Sequence, residues 1–453
     1  MVKHNKHNRT KHGASSIFLA IIMSALILVE CTFVAFVWNL DYALSVNTAL
    51  KTQIDTILSD YNRQLFDVYG IYAFTLDSVD DECFRKALEI NGLDSQSSLY
   101  VSSGYRFTTE DLKKAINTYY WYRGTGVSVK SLVESYSALF LELDSKGIIK
   151  KVGQFMQSPA AGYVSDIIKG SDSVEEWIGK AEDVLDVEEL IEEIADMDSI
   201  KSDYNDAIRD FEFDIDIDIE EWESLLNTMS KLEYAIDTVS DSSDVAMTKM
   251  NISHYCAYNF DCLFAPDGDA SINGTEFKSI HGKKKVDAEY IITGFDDAPA
   301  CLSIEFMMVH ILIISNMLKD FANEKFRNTM EVLGQIISAI ILAVSEGTVD
   351  IDYRLIAVGL TYYCAIAQSM KDFHSVTSGK RVVIFEYEEV PCVTFGYREF
   401  LFLFALMTPV DDLLERSHEV LIRDFGELYV GISLEADFRG STYSVEKCYR
   451  LYE

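Results

Sequence analysis

The first residue in this chain that could do chemistry is a carboxylate inside an apolar run. Glu30 lies in IFLAIIMSALILVECTFVAFVW, residues 17–38, where Ser24 and Thr32 are the only other hydrogen-bonding side chains besides the terminal Trp38. A carboxylate at mid-bilayer depth costs on the order of 2–3 kcal/mol, less when protonated. Two readings follow: a tolerated neutral acid, or a polar contact with another transmembrane helix. The other chemistry-bearing residues are dispersed. Beyond the N-terminal tail the histidines are His254, His281, His310, His374 and His418, with no HExxH or His-x-His among them. His310 sits in an apolar helix and reads as a satisfied core residue; His254 and His281 flank a turn-rich segment. No Gly-x-Ser-x-Gly elbow, Walker A loop or dinucleotide fingerprint occurs, and RGTG at Arg123–Gly126 reads as a turn.

The carboxylates are too many for a catalytic pair to be chosen by spacing, because the criterion for such a pair is a distance in space. Asp214, Asp216 and Asp218 alternate with Ile215 and Ile217, a strand-like period that lines three acids on one side. Calcium could sit on such a ladder, but solvated charge is the stronger reading. Asp267, Asp269, Ser271 and Glu276 resemble a calcium loop superficially, yet the glycine and final glutamate are misplaced for an EF-hand. The 8 cysteines include no Cys-x-x-Cys pair and no zinc spacing. Cys256 and Cys262 are close enough in sequence to pair across a short loop; buried small hydrophobes is the preferred reading. No catalytic, cofactor or metal site is expected, and no enzyme activity.

The 22 residues of the apolar run span about 33 Å as a helix, enough for a hydrocarbon core of about 30 Å. Lys3, Lys6, Arg9 and Lys11 precede it and Asp41, Asp55 and Asp60 follow it, which favours a cytoplasmic N-terminus and an extracytoplasmic C-terminal domain. A cleaved secretory signal would have a shorter core and an Ala-x-Ala-like site. A lipoprotein would need a small residue before Cys31, where Glu30 stands. Prepilin-type processing after Gly13 is a further option, but Phe18 occupies the position where such helices carry glutamate. An uncleaved, single-pass signal-anchor is the leading expectation.

These residues need elements to hold them. Leu40, Leu44, Leu50, Ile54, Leu58, Tyr61 and Leu65 continue the helical period past Trp38, predicting an amphipathic stalk over 39–74 that ends near Gly70. Such a stalk packs on the domain or pairs with another copy of the chain. Residues 75–250 read as mixed and acidic, with a helix from Thr109 to Trp121 behind a capping pattern at Thr108. A second helix carries Val184, Val187, Leu190, Ile191 and Ile194 on its apolar face. Residues 251–453 read as an α+β region. Its apolar stretches over 301–374, interrupted by Glu305, His310, Asn316, Gln335 and Gln368, are expected as packed core helices, with a second membrane span the lesser reading. After Gly379 come strands in RVVIFEYEEV, LYVGISLEADF and TYSVEKCYRLY, with a helix from Tyr397 to Asp424 between them. The fold class is therefore α+β: a transmembrane helix at 17–38 after a basic tail, the stalk, then a mainly helical domain with C-terminal antiparallel strands.

Composition agrees with a folded body: 49% apolar residues, 25 Tyr, 26 Phe and only 5 Pro. The net charge of -34 would repel a polyanion, so no nucleic-acid partner is expected.

Several segments, in order, resemble a poorly characterised family of bacterial membrane-anchored proteins associated with TadE/TadG-like, Flp-type pilus systems. They are the basic-GASSIFL anchor with Glu30, ILSDYNRQLFDVYGIYAF (57–74), ISHYCAYNF (252–260), AEYIITG (288–294), Ser315-Asn316-Met317, SGKRVVIF (378–385) and FGYREFLFLFALM (395–407). The resemblance covers the anchor and most of the C-terminal half, and less of 130–250. It implies an envelope-associated accessory role with pilus-assembly or other envelope proteins as partners, and no activity that carries over. A membrane-tethered ligand-binding or sensory ectodomain is the alternative, weakened by the short tail before the anchor.

Overall fold

The computed structural model describes the chain except residues 1–8, 77–78, 95–98, 124–146, 170–218, 241–242, 265–270, 273–274, 277–285, 346–347, 388–389 and 453. The Asp214–Asp218 ladder, the acidic helix at 184–194, His281 and the calcium-like residues Asp267 and Asp269 therefore lie outside the described residues. The described chain is mainly helical, with antiparallel strands.

The chain forms two compact units, one of residues 1–115 and 422–453, the other of residues 116–421. In chain order the elements begin with α1 (Arg9–Ser59), α2 (Arg63–Tyr69), α3 (Glu82–Ile90), β1 (Leu99–Arg106) and α4 (Thr109–Arg123). Next come α5 (Ile148–Met156), α6 (Ala160–Lys169), α7 (Ile219–Ser240), α8 (Asp244–Asn259), the short β2 (Ser271–Ile272) and β3 (Thr275–Glu276), and α9 (Asp287–Thr293). The remainder is α10 (Asp297–Ala322), α11 (Glu324–Val344), α12 (Tyr353–Thr377), β4 (Val382–Tyr387), β5 (Val390–Phe395), α13 (Tyr397–Met407), α14 (Val410–Phe425), β6 (Tyr429–Phe438) and β7 (Ser441–Cys448).

The first unit is built on α1. Val46, Ala49, Leu50, Ile54, Ile57 and Leu58 are buried at helical spacing, and they pack with Phe84 and Leu88 of α3 against Ile432, Leu434, Ala436 and Phe438 of β6. Gln53, buried on that same face, receives the Phe84 N–H at 2.7 Å and donates to the Asp80 carbonyl at 2.6 Å. It thereby satisfies one of the free donors at the start of α3. The sheet order is β1-β6-β7, all antiparallel. β6 and β7 are joined by a two-residue turn in which Arg439 (φ 52) and Gly440 (φ 82) both take positive φ, as a type I′ turn requires.

Three expectations change here. The stalk helix stops at Ser59, not near Gly70, because Asn62 takes an extended backbone and its side chain caps a new helix by accepting the Leu65 N–H at 3.0 Å. Gly70, in the left-handed region, closes that helix. Leu40 and Leu44, read as part of the stalk's inner stripe, are exposed; the buried residues begin at Val46, with Tyr42 partly buried before it. β1 is an element that periodicity did not single out.

In the second unit α10 and α11 both pack on α12. Leu333, Ile336, Ile337 and Ile340 of α11 interlock with Ile356, Ala357, Leu360 and Tyr363 of α12, closed by Phe155 of α5. A Cβ at Gly334 would overlap the Tyr353 carbonyl, so the two helices approach as closely as a glycine permits. The apolar stretches over 301–374 are thus packed helices, as expected. The expected single helix from Tyr397 to Asp424 is two, interrupted where Pro409 lacks the N–H and ring freedom that a continuous helix needs. Every residue from Tyr397 to Leu406 is buried, which makes α13 a core helix with no solvent face. Cys256 and Cys262 are free thiols, both buried.

Candidate functional site

Two places carry the residues that sequence reasoning singled out. The first is the N-terminal half of α1. Its apolar window has a mean hydropathy of 2.6 with 0% buried. Ile17, Phe18, Leu19, Leu28, Phe33 and Trp38 are each more than half exposed, so among the described residues nothing covers this stretch. By length and composition the helix could cross a membrane. Glu30 is exposed on it, as are Ser24 and Thr32, whose hydroxyls bond back to the Ile21 and Leu28 carbonyls. Gly13 lies inside α1, which begins at Arg9. The second helix that passes the same test, 298–322, is 61% buried and belongs to the packed second unit.

The other place is a buried polar centre in the second unit, assembled from α8, α9, α13 and the residues beside β4. Glu289 of α9 has no exposed surface. Its Oε1 accepts the Leu263 N–H and the Tyr397 hydroxyl, both at 2.8 Å, while Oε2 has no hydrogen-bond partner among the described residues. Burial holds Glu289 above the usual carboxylate range. Burial and the neighbouring Glu289 push the Tyr397 phenol well up. Arg398 donates through Nη1 to the Ala257 and Phe260 carbonyls at 2.7 and 3.1 Å, placing a cation at the C-terminal end of α8 where the helix dipole favours it. Its Nε has no hydrogen-bond partner among the described residues. Glu399 accepts the Gly396 N–H at 3.0 Å and meets Arg381 at 2.6 Å, which ties the start of α13 to the β4–β5 hairpin.

His254 lies on α8, stacked on Tyr258 at 4.3 Å between ring centres, with Nδ1 2.7 Å from the Tyr120 hydroxyl. Burial pushes it down to about 4, so the ring is neutral. Burial likewise pushes the Cys256 and Cys262 thiols up to about 12. His310, expected as a core histidine, is 5% exposed and is also pushed down to about 4 by burial.

These shifts share one cause: burial disfavours the charged form of each group. A thiol at about 12 is not a nucleophile at neutral pH. Among the described residues no three His, Cys, Asp or Glu side chains gather as metal ligands. The described side chains of this centre form a buried hydrogen-bonded cluster. Sequence reasoning did not single out Glu289, Tyr397 or Arg398 as site residues, although it quoted the segments that hold them. ISHYCAYNF supplies His254 and Tyr258, AEYIITG supplies Glu289, FGYREF supplies Tyr397, Arg398 and Glu399, and SGKRVVIF supplies Arg381. Ser315-Asn316-Met317 forms an adjoining contact, with Ser315 donating to the Ile384 carbonyl and Asn316 to Asp372 at 2.9 Å.

Comparison with protein-family models, with characterised proteins and with solved structures finds no match.

Proposed function

We propose that the chain is a bitopic membrane protein of the cell envelope: α1 crosses the bilayer once, with the basic tail on the cytoplasmic side and both units displayed on the other. The observation that carries this reading is the continuity of α1. One helix runs from an apolar stretch that no described residue covers into a stripe, Val46 to Leu58, that forms part of the core of the first unit. A cleavable leader has no reason to continue without a break into the core it would abandon. Length, hydropathy and the flanking charges agree with the placement.

On this reading the chain acts through protein contacts, as an accessory or structural component of a Tad-like pilus or related surface assembly. Support for the narrower assignment is the ordered set of segments that resembles such proteins, together with the hydrogen bonds that join several of those segments in the buried polar centre. Glu30 is the intramembrane contact: a carboxyl group facing hydrocarbon gains from a polar partner on a neighbouring helix. The stalk's inner stripe is already taken up by α3 and β6, so contacts between copies would use other surfaces.

Affinity purification of the full chain from its native membrane in mild detergent tests this. Pilus-assembly membrane proteins should come with the wild type and several-fold less with Glu30→Leu. Equal recovery with both would remove Glu30 from the contact, and recovery of the chain alone would sink the assembly role. The alternative, a membrane-tethered ligand-binding ectodomain, is favoured by one observation, the buried Glu289 Oε2 and Arg398 Nε without a hydrogen-bond partner among the described residues.

A further inference from the structure

The β6–β7 hairpin lies lengthwise along α1, and two contacts fix its direction. At the turn, Phe438 packs on Tyr42 with ring centres 6.3 Å apart, and the Arg439 guanidinium lies 4.2 Å over the Tyr42 ring. At the other end of β7, Lys447 meets Asp55 at 2.6 Å. The turn therefore points toward the uncovered apolar half of α1. Tyr42 is four residues beyond Trp38, about 6 Å of helix rise. Trp38, Leu40 and Leu44 are 61%, 50% and 64% exposed at this level. Arg439, Gly440, Ser441 and Thr442 are exposed as well.

We propose that the turn of the β6–β7 hairpin is a second membrane contact, in which Arg439, laid over Tyr42, takes a lipid phosphate of the leaflet that α1 leaves. The proposal rests on the reading of α1 as a membrane span. Among the described residues Arg439 makes no ion pair or hydrogen bond; its contacts are the Tyr42 and Phe438 rings. A stacked guanidinium keeps its in-plane N–H groups free, and their fork matches phosphate oxygens. The level is that of the headgroups, where aromatic rings and snorkelling cations concentrate. Two carboxylates share this end: Asp41 on α1, and Asp437, which accepts the Thr442 hydroxyl at 2.5 Å. In a chain of net charge -34, a cation at the turn offsets their repulsion from anionic lipid. With α1 and the hairpin both seated, the first unit meets the membrane at two points and cannot swing freely about the anchor.

The test uses the full chain in vesicles of phosphatidylglycerol and phosphatidylethanolamine. Brominated acyl chains should quench a tryptophan at the turn, Ser441→Trp, beyond the wild-type background. A tryptophan at the far end of β7, Glu446→Trp, should not be quenched. Hydrogen exchange on chains without added tryptophan gives the second measurement. Removing one cation from an anionic surface forfeits about 1 kcal/mol, so Arg439→Gln should lose about fivefold of the protection at amides 439–442 in vesicles. In detergent its exchange should equal that of the wild type. Alkaline extraction of the same vesicles separates the two readings. Release of the chain overturns the anchor. Retention with Ser441→Trp unquenched, or with Arg439→Gln exchanging as the wild type, overturns the turn contact alone. Protection of the turn by inorganic phosphate in detergent would mark a soluble-anion site and also overturn it.

Discussion

His254 stays neutral in the folded chain because its ring is packed between Tyr258, Phe402 and the Tyr120 hydroxyl, away from water. Its folded value of about 4 lies below the ordinary 6.5, so between pH 6.5 and 4 the unfolded chain takes up a proton that the folded chain refuses. The stability this neutral ring contributes is complete above pH 6.5 and is lost as pH falls toward 4, by up to about 3 kcal/mol. His254→Phe keeps the ring stack but removes the hydrogen bond to the Tyr120 hydroxyl, costing about 0.5–1.5 kcal/mol at pH 7.5. The gap between wild type and variant should then narrow as pH drops from 6.5 to 4, read as urea midpoints in mild detergent. A constant gap would mean the histidine titrates normally. Glu289, raised by burial, acts in the opposite sense in both proteins and cancels in the comparison. None of this was legible from spacing: Glu289 and Tyr397 are 108 residues apart in sequence, and no motif rule joins residues at that separation. What the sequence did carry was the set of polar-aromatic segments around them, without the geometry that makes them one centre.

At the scale of elements the period of 3.6 revealed the stalk but not which edge of its stripe is buried. Leu44 and Leu50 both fit the helical spacing, yet Leu44 is 64% exposed and Leu50 fully buried. The difference is one of face: Leu50 lies on the side of α1 that packs with β6 and α3, and Leu44, although close to Tyr42 in sequence, does not. Leu50→Ala should destabilise the first unit by about 2–5 kcal/mol through the cavity it leaves. Leu44→Ala in detergent should change it by less than about 0.5 kcal/mol. Faster hydrogen exchange in β6 and α3 for Leu50→Ala only would bear this out, and equal effects would place the packed face elsewhere. β6 and β7 were legible from their alternation, because one face meets the helices and the other meets solvent. β1, LYVSSGYR, carries a weaker alternation, and it becomes a strand by pairing with β6 more than 300 residues later. Long-range pairing of that kind overrides local pattern. The break at Pro409 was in plain view and follows from the missing N–H, while the helix on either side drew attention away from it.

For the whole molecule the decisive question is which helix meets the bilayer, since two among the described residues pass the test of length and hydropathy. The N-terminal apolar stretch of α1 is uncovered along its length, whereas α10 spends 61% of its window against its own unit. Apolar surface already buried against protein gains little from lipid, and the exposed remainder of α10, chiefly Leu302 and Phe306, is a patch rather than a belt. The membrane affinity should therefore reside almost entirely in α1. Arginines near the centre of a span cost about 2.5–3.5 kcal/mol each, so Leu26→Arg with Leu28→Arg removes about 5–7 kcal/mol of insertion free energy. That double variant should leave the membrane fraction on alkaline extraction. Leu302→Lys with Phe306→Lys, which charges the uncovered side of α10 and gives up the Phe306 ring contact with His310, should be retained like the wild type. The opposite pattern, with release by the α10 pair and retention of the α1 pair, would transfer the membrane contact to the second unit. It would also leave the hairpin turn beside Tyr42 facing water, with no headgroup layer for Arg439 to enter.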